Sequence, residues 1–304
     1  MRIVFFGTPE FAKKSLEHLY SCKHDIVAVF TQADKPRNRG MKLSYTPVKE
    51  AALAQGTPIY QPATLKDGSV GEILSELKCD LALVVAYGKI LPKEILELPS
   101  FGCVNIHASL LPKFRGAAPI QHAILSGECE TGVTSMYMNE KMDEGDIIGF
   151  KKTSISESDT SVTLSERLSD LGAKLLCETV SDISEGKAAR TVQNHAEATY
   201  APLLTKDMSP IDWNDTALKI NCQIRALQPW PTATMELEGK TLKVYSSEIT
   251  ENHNCGKPGT IISYGKQGIE VACSDFSVLI KEVQASGGKR MSAAEYMRGT
   301  RYEA

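Results

Sequence analysis

Along the first half of the chain, short unbroken apolar runs alternate with segments whose apolar residues recur at helical spacing. Residues 3–6 (Ile-Val-Phe-Phe) end in Gly7, residues 26–31 are apolar up to the last, and residues 81–87 and 103–107 continue the series. Strands buried on both faces read this way, because helices cover a parallel sheet from either side. Between them, residues 11–20, 48–55 and 70–77 carry the 3.6-residue period, and residues 58–60 read as a short strand. Pro9 stands where the first helix begins. The alternation predicts a mostly parallel α/β sheet, Rossmann-like in plan. Residues 132–139 alternate more clearly and residues 146–155 keep strand character, so this pair is expected to close one edge. Residues 161–183 are the longest helical pattern, with Thr160 or Ser161 as cap and Glu185-Gly186-Lys187 as stop.

Beyond this point the periodicity lapses. Residues 187–205 read as a connector, and after a helix near residues 216–226 the chain turns to regular short strands at 232–237, 241–246, 259–263, 268–273 and 277–283. Such spacing predicts a small antiparallel β-barrel, OB-like in plan. The expected division is therefore 1–186, a connector at 187–205, and 206–304.

Composition narrows the functional classes. The formal net charge is −3, from 34 basic and 37 acidic residues, so no general affinity for polyanions is expected. Nucleic-acid binding would need a local basic patch. The eight cysteines are scattered without a Cys-x-x-Cys pair, and the six histidines lack ligand spacing. This predicts reduced thiols and no metal. No apolar run approaches the ~20 residues of a membrane span, and the first residues break too early for a signal peptide. The expected location is the cytoplasm, and a monomer is the default. After the first strand, Gly7-Thr8-Pro9 has one glycine only, and Pro9 removes an amide that a phosphate would need. Dinucleotide binding is thereby disfavoured, and the absence of a phosphate loop leaves ATP chemistry unsupported.

Specialised chemistry concentrates between Asn105 and Asp143. Asn105 and His107 lie two apart at the end of an apolar strand and so share a face. Carboxyl ends of parallel strands are where open α/β sheets bind ligands. A histidine there is most often a structural hydrogen-bonding residue. Here Asn105 adds an amide donor, Ser109-Leu110-Leu111-Pro112 adds an apolar turn, and Met142-Asp143-Glu144-Gly145-Asp146 returns a carboxylate. With no Cys or Ser nucleophile beside them, these residues suit direct transfer of an acyl group to an amine. Asn105 and His107 would stabilise the developing oxyanion, and Asp143 would hold the imidazole. Whether His107 or Asp143 takes the excess proton stays open.

Asn105-Ile-His107, the run from Ser109 through Arg115-Gly116, and Asp143 with Gly145-Asp146 resemble the formyltransferases that use 10-formyltetrahydrofolate. The Phe6-Gly7-Thr8-Pro9-Glu10-Phe11, Val85-Ala86-Tyr87-Gly88-Lys89-Ile90-Leu91-Pro92 and Gln228-Pro229-Trp230-Pro231 motifs are similar to the branch acting on methionyl-tRNA. The resemblance spans nearly the whole chain. It implies formyl transfer to the α-amino group of methionine on initiator methionyl-tRNA, for translation initiation. It implies Asn105, His107 and Asp143 as catalytic residues. Ser109, Leu110, Leu111 and Pro112 would contact the folate, with Tyr87, Gly88, Ile90 and Leu91 walling its pterin pocket. Ala108 stands where the family commonly has glycine.

Lys35, Arg37, Arg39 and Lys42 place four cations in a loop after the second strand. Most such connections have ~2–6 residues, so this length is unusual. Gly40 and the polar residues suggest mobility, and a flexible cationic loop suits phosphate contacts. The resemblance implies that Arg37, Arg39 and Lys42, with Lys206, contact tRNA, Arg39 foremost. Residues 206–304 hold equal numbers of basic and acidic residues, so any barrel face that binds is a local stripe. Before Leu204-Thr205-Lys206 one cation common in the family is missing. The competing expectations are a nucleotide-sugar formyltransferase, a 10-formyltetrahydrofolate hydrolase domain and a non-catalytic RNA-binding protein.

Overall fold

The computed structural model describes residues 1–22, 24–37, 42–250, 252 and 256–299, without the side chains of residues 36, 37, 42 and 43. The elements begin with β1 (Arg2–Gly7), α1 (Glu10–Tyr20), β2 (Asp25–Phe30), β3 (Lys35–Arg37), β4 (Lys42–Ser44), α2 (Pro47–Ala54) and β5 (Ile59–Tyr60). There follow α3 (Ser69–Glu76), β6 (Leu81–Val85), α4 (Lys93–Leu96), β7 (Cys103–His107), β8 (Arg115–Gly116), α5 (Pro119–Leu125), β9 (Glu130–Tyr137) and β10 (Ile147–Ser154). Then come α6 (Ser161–Ser184), β11 (Tyr200–Ala201), α7 (Ala217–Ala226), β12 (Ala233–Leu237) and β13 (Lys240–Thr250). The last are β14 (Ile261–Gly265), β15 (Gly268–Ala272), β16 (Ser277–Ala285), β17 (Met291–Ser292) and α8 (Ala293–Arg298).

The chain forms two compact units. One comprises Met1–Gly116, Glu130–Thr153 and Ser165–Ala201; the other comprises Ala117–Cys129, Ser154–Leu164 and Pro202–Ala304.

In the first unit, seven strands run in the order β10-β9-β7-β6-β1-β2-β5. The pairs β1–β2, β1–β6, β2–β5 and β6–β7 are parallel, and β9 joins β7 antiparallel. Because β2 and β6 flank β1 on opposite sides, the strand order reverses there, and a crevice opens at the carboxyl ends. Phe6 stacks on Phe30 at 4.6 Å, and Phe30 on Tyr60 at 5.0 Å, an aromatic row across the ends of β1, β2 and β5. Strand β6 stops at Val85, two residues short of the apolar run, because Ala86 takes φ +46 and turns the chain out. Helices α4 and α5 have no periodicity that sequence reading detects; four and seven residues are too few to show one. Residues expected as a loop after β2 instead pair as a ribbon, with Lys35 opposite Ser44 and Arg37 opposite Lys42.

In the second unit, β12-β13-β16-β15-β14 make one antiparallel sheet, with β17 added to β16. Among the described residues this OB-like sheet is open, ending at β12 and β14. Its core face, including Leu242, Val244, Val271 and Ile280, packs with Ile220 and Ile224 of α7 and Met297 of α8. On β15, Glu270 points away from that core and is nearly buried. It accepts hydrogen bonds from Ser277 (2.7 Å), Asn252 (2.6 Å), Ser263 (2.9 Å) and Thr250 (3.2 Å).

Candidate active site

Strand β7 delivers Asn105 and His107 to one face. Its opposite face is covered by α6, where Gly172 lets the helix approach: a Cβ there would lie 3.2 Å from Cγ2 of Ile106. Cys103, which shares the Asn105 face, is sealed in a core with Tyr87, Leu91 and Ile95. The loop after β6 therefore covers the same face that carries the polar pair.

His107 is buried, and each ring nitrogen faces an acceptor. Nε2 lies 2.8 Å from the carbonyl oxygen of Phe114, and Nδ1 lies 3.6 Å from Oδ2 of Asp143. The first is a hydrogen bond that assigns a proton to Nε2. The second is too long for one and becomes an ion pair when the ring is protonated. Among the described residues no hydrogen bond engages the half-buried Asn105 amide. Ala108 does not take positive φ, so glycine has no conformational advantage there.

The Asp143 carboxylate is aimed by its surroundings. Oδ2 accepts 2.8 Å from the amide of Gly116, and Asp143 itself sits at φ +54. The following Gly145 is sterically required, since a Cβ would fall 1.7 Å from the Tyr137 carbonyl oxygen. Gln193 then clamps the turn: Nε2 donates to the carbonyl oxygens of Asp143 (2.9 Å) and Gly145 (2.8 Å). Its Oε1 accepts from Nε (3.2 Å) and Nη2 (2.7 Å) of Arg115. Arg115, only 1% exposed, also lies 3.3 Å from Oε1 of Glu144 and 3.1 Å from Nδ1 of His195. A buried guanidinium needs such partners, because leaving it unpaired costs several kcal/mol, of order 3–5. Beside this turn is a cavity of about 440 Å³ lined by Asn139, Glu140, Lys141, Glu144 and His195.

The turn after β7 is held from within. Thr134 accepts from the Leu111 amide (3.1 Å) and donates to the Ser109 carbonyl (2.7 Å), while Ser109 Oγ donates to the Lys113 carbonyl (2.6 Å). The Leu111–Pro112 peptide is cis. Ser109 is fully buried and Leu111 nearly so, whereas Leu110 and Pro112 are half-buried. In the neighbouring loop, the Tyr87 carbonyl accepts from Thr8 Oγ1 (3.1 Å) and Gln32 Nε2 (2.9 Å). Gly88 takes φ +78, and a Cβ there would meet Gln32 Nε2 at 2.5 Å. Lys89 anchors the loop on the carbonyls of Pro62 (2.6 Å) and Ala63 (2.9 Å).

Residues 1–180 match the formyl transferase family, and residues 203–301 match the formyl transferase C-terminal domain. The chain belongs to the formyl transferase family. It is 48% identical to the methionyl-tRNA formyltransferase of Alkaliphilus oremlandii over 303 residues, covering 100% of this chain and 98% of that one. It is 46% identical to the methionyl-tRNA formyltransferase of Caldanaerobacter subterraneus, covering 98% of this chain and 97% of that one. Among solved structures, the sugar 3N-formyltransferase WlaRD shares the fold with TM-score 0.70 at 19% identity, over 94% of this chain and 97% of that one. HypX from Aquifex aeolicus, solved with tetrahydrofolic acid, has TM-score 0.62 at 18% identity, over 98% of this chain and 47% of that one.

The structure brings together Asn105, His107, Asp143 and the turn at 109–112 of this family member, and it qualifies other residues. The Tyr87 ring is 1% exposed, edge-on to Phe6 at 5.3 Å, so it supports the loop from beneath and presents no open aromatic face. Ile90, at 78% exposed, is the accessible side chain there, and Leu91 is buried. Arg37 and Lys42 pair by backbone across the ribbon, while Arg39 lies outside the described residues. Lys206 is exposed on a short 3₁₀ turn of the second unit. Sequence reading missed Gln193, Thr134 and His195. Gln193 lies in a stretch without periodicity, and only its burial in a segment otherwise exposed marks it.

Among the described residues, no group of three or more His, Cys, Asp and Glu side chains gathers as a metal site. No helix among them is long and apolar enough to cross a membrane.

Proposed function

We propose that this chain transfers the formyl group of 10-formyltetrahydrofolate to the α-amino group of methionine on initiator methionyl-tRNA, the step that prepares this tRNA for translation initiation. The observation that carries the reading is His107 held between the Phe114 carbonyl and the Asp143 carboxylate, beside the unengaged Asn105 amide. The folate donor supplies an acyl carbon open to attack by an amine. Asn105 and, when the ring is protonated, Nδ1 of His107 are the donors for the oxygen on which charge develops, and losing one such donor typically costs ~10²–10³ in rate. The excess ammonium proton leaves through the His107–Asp143 pair. Gly116 and Gln193 keep the carboxylate at its post.

The donor's seat is the crevice at the ends of β1, β6 and β7, formed by the 109–112 turn and the 87–91 loop, with Ile90 its accessible apolar contact. The tRNA contacts are Arg37, Arg39 and Lys42, with Lys206. The names of the full-length relatives support the acceptor, and the tetrahydrofolate-bound neighbour supports the donor.

The deciding experiment offers the protein 10-formyltetrahydrofolate with either methionyl initiator tRNA or a nucleotide amino-sugar. Formylmethionine from the first pair is expected. Product from the sugar alone would sink the reading, and Arg39→Ala should weaken productive tRNA binding in a salt-dependent way.

A further inference from the structure

Cys22, just past α1, and Cys177, within α6, are far apart in the chain, yet their sulfurs are 2.8 Å apart. That is inside ordinary contact for two sulfurs and outside the ~2.05 Å of a bond. Both thiols are half-buried, so a small reagent reaches them, while Cys79, Cys103, Cys222 and Cys273 are buried and Cys129 stands exposed. Among the described residues no other two cysteine sulfurs lie within hydrogen-bond distance of each other. Formyl transfer as read above uses neither thiol.

We propose that Cys22 and Cys177 are an oxidation site, which a low-molecular-weight disulfide converts into a reversible bond joining the end of α1 to α6. The exchange balances in two steps. Cys22, having lost its proton to water, attacks as the thiolate on one sulfur of the small disulfide, breaking its S–S bond and expelling one thiolate. That thiolate takes the proton of Cys177, whose sulfur attacks the Cys22 sulfur and expels the second thiolate, which takes a proton from water. Two protein thiols are oxidised and one small disulfide is reduced to two thiols. Burial, and then the contact with the Cys22 thiol, push the Cys177 thiol up to about 12, which suits it to the second, intramolecular step. The bond would brace α6, which backs β7 at Ile106 on the face opposite Asn105 and His107. Its effect is thus on the rigidity of the scaffold, with the reacting groups untouched.

The test uses the full chain with Cys129→Ser, so that the exposed thiol cannot react. The protein is treated with oxidised glutathione, remaining thiols are blocked, and unreduced peptides are mapped by mass spectrometry. The expected product is one cross-linked pair of peptides carrying Cys22 and Cys177, lighter by two hydrogen atoms and separated again by reductant. Melting temperature should rise by about 5 °C or more on oxidation, since the bond closes a long loop. Cys22→Ser or Cys177→Ser should lose both the cross-link and the rise. Stable glutathione adducts on either residue without a cross-link, or both thiols left free, would overturn the assignment. The mapping is made on otherwise native protein, so it does not depend on the serine variants folding.

Discussion

The carbonyl oxygen of Phe114 holds Nε2 of His107 at 2.8 Å, and Phe114 reaches that position only through a left-handed backbone, φ +59. The proton on Nε2 is committed to this contact. Nδ1, 3.6 Å from Asp143, is the nitrogen that this contact leaves uncommitted, and the proposed mechanism works through it.

Asp143→Asn should leave the fold intact, since the side chain can still accept from the Gly116 amide. Turnover should fall by about 10²–10⁴, the usual contribution of a positioned acid–base group. Single-turnover formylation at saturating substrate measures it. A rate within threefold of wild type would remove Asp143 from the mechanism.

Gln193 positions the Asp143 turn by donating to two carbonyls while accepting from Arg115. Gln193→Ala should lower kcat at least tenfold, with stability reduced by roughly 1–3 kcal/mol through the unpaired buried groups. Gln193→Glu keeps the acceptor for Arg115 but sets an oxygen against the two carbonyls. Stability and kcat should both stay reduced; full recovery of both would show that the two donations carry nothing.

Gly145→Ala is expected to be among the most damaging small substitutions, since its Cβ would lie 1.7 Å from the Tyr137 carbonyl oxygen. Gly239→Ala meets no atom within 4 Å and strains only the backbone, at φ +68. Denaturant unfolding should place the first at about 3 kcal/mol or more and the second near 1 kcal/mol. Equal losses would contradict the steric account.

Glu270 shows a pH dependence with a definite sign. Burial alone would raise its pKa, but hydrogen bonds from Ser277, Asn252, Ser263 and Thr250 outweigh burial and lower it. A carboxyl depressed on folding adds stability above its unfolded pKa and loses it as pH falls through the folded value. Glu270→Gln should therefore destabilise the second unit at pH 7, and the gap from wild type should begin to narrow below about pH 4, near the unfolded carboxyl pKa, and close as pH falls through the folded value. Thermal melts across pH 3–7 test this, and a gap independent of pH would contradict it.

Legibility followed physical range. Runs such as residues 3–6, 81–87 and 103–107 were readable because burial on both faces leaves an unbroken apolar string. Their ends were less so: the run at 81–87 loses its last two residues to the left-handed turn at Ala86, whose strain is a tertiary matter. The ribbon pairing Arg37 with Lys42 was equally hidden, since four cations in a short stretch look like a solvated loop.

The sequence by itself determined the α/β order of the first unit and the β-rich second unit, and it singled out Asn105, His107 and Asp143 as candidates, because periodicity and residue type are local properties. Only the tertiary structure decided what orients them. Gln193 lies 50 residues from Asp143, Thr134 lies 25 from Ser109, and Cys22 lies 155 from Cys177. No pattern along the chain encodes such meetings, because they arise only when the strands assemble into the sheet and the helices and loops pack on it.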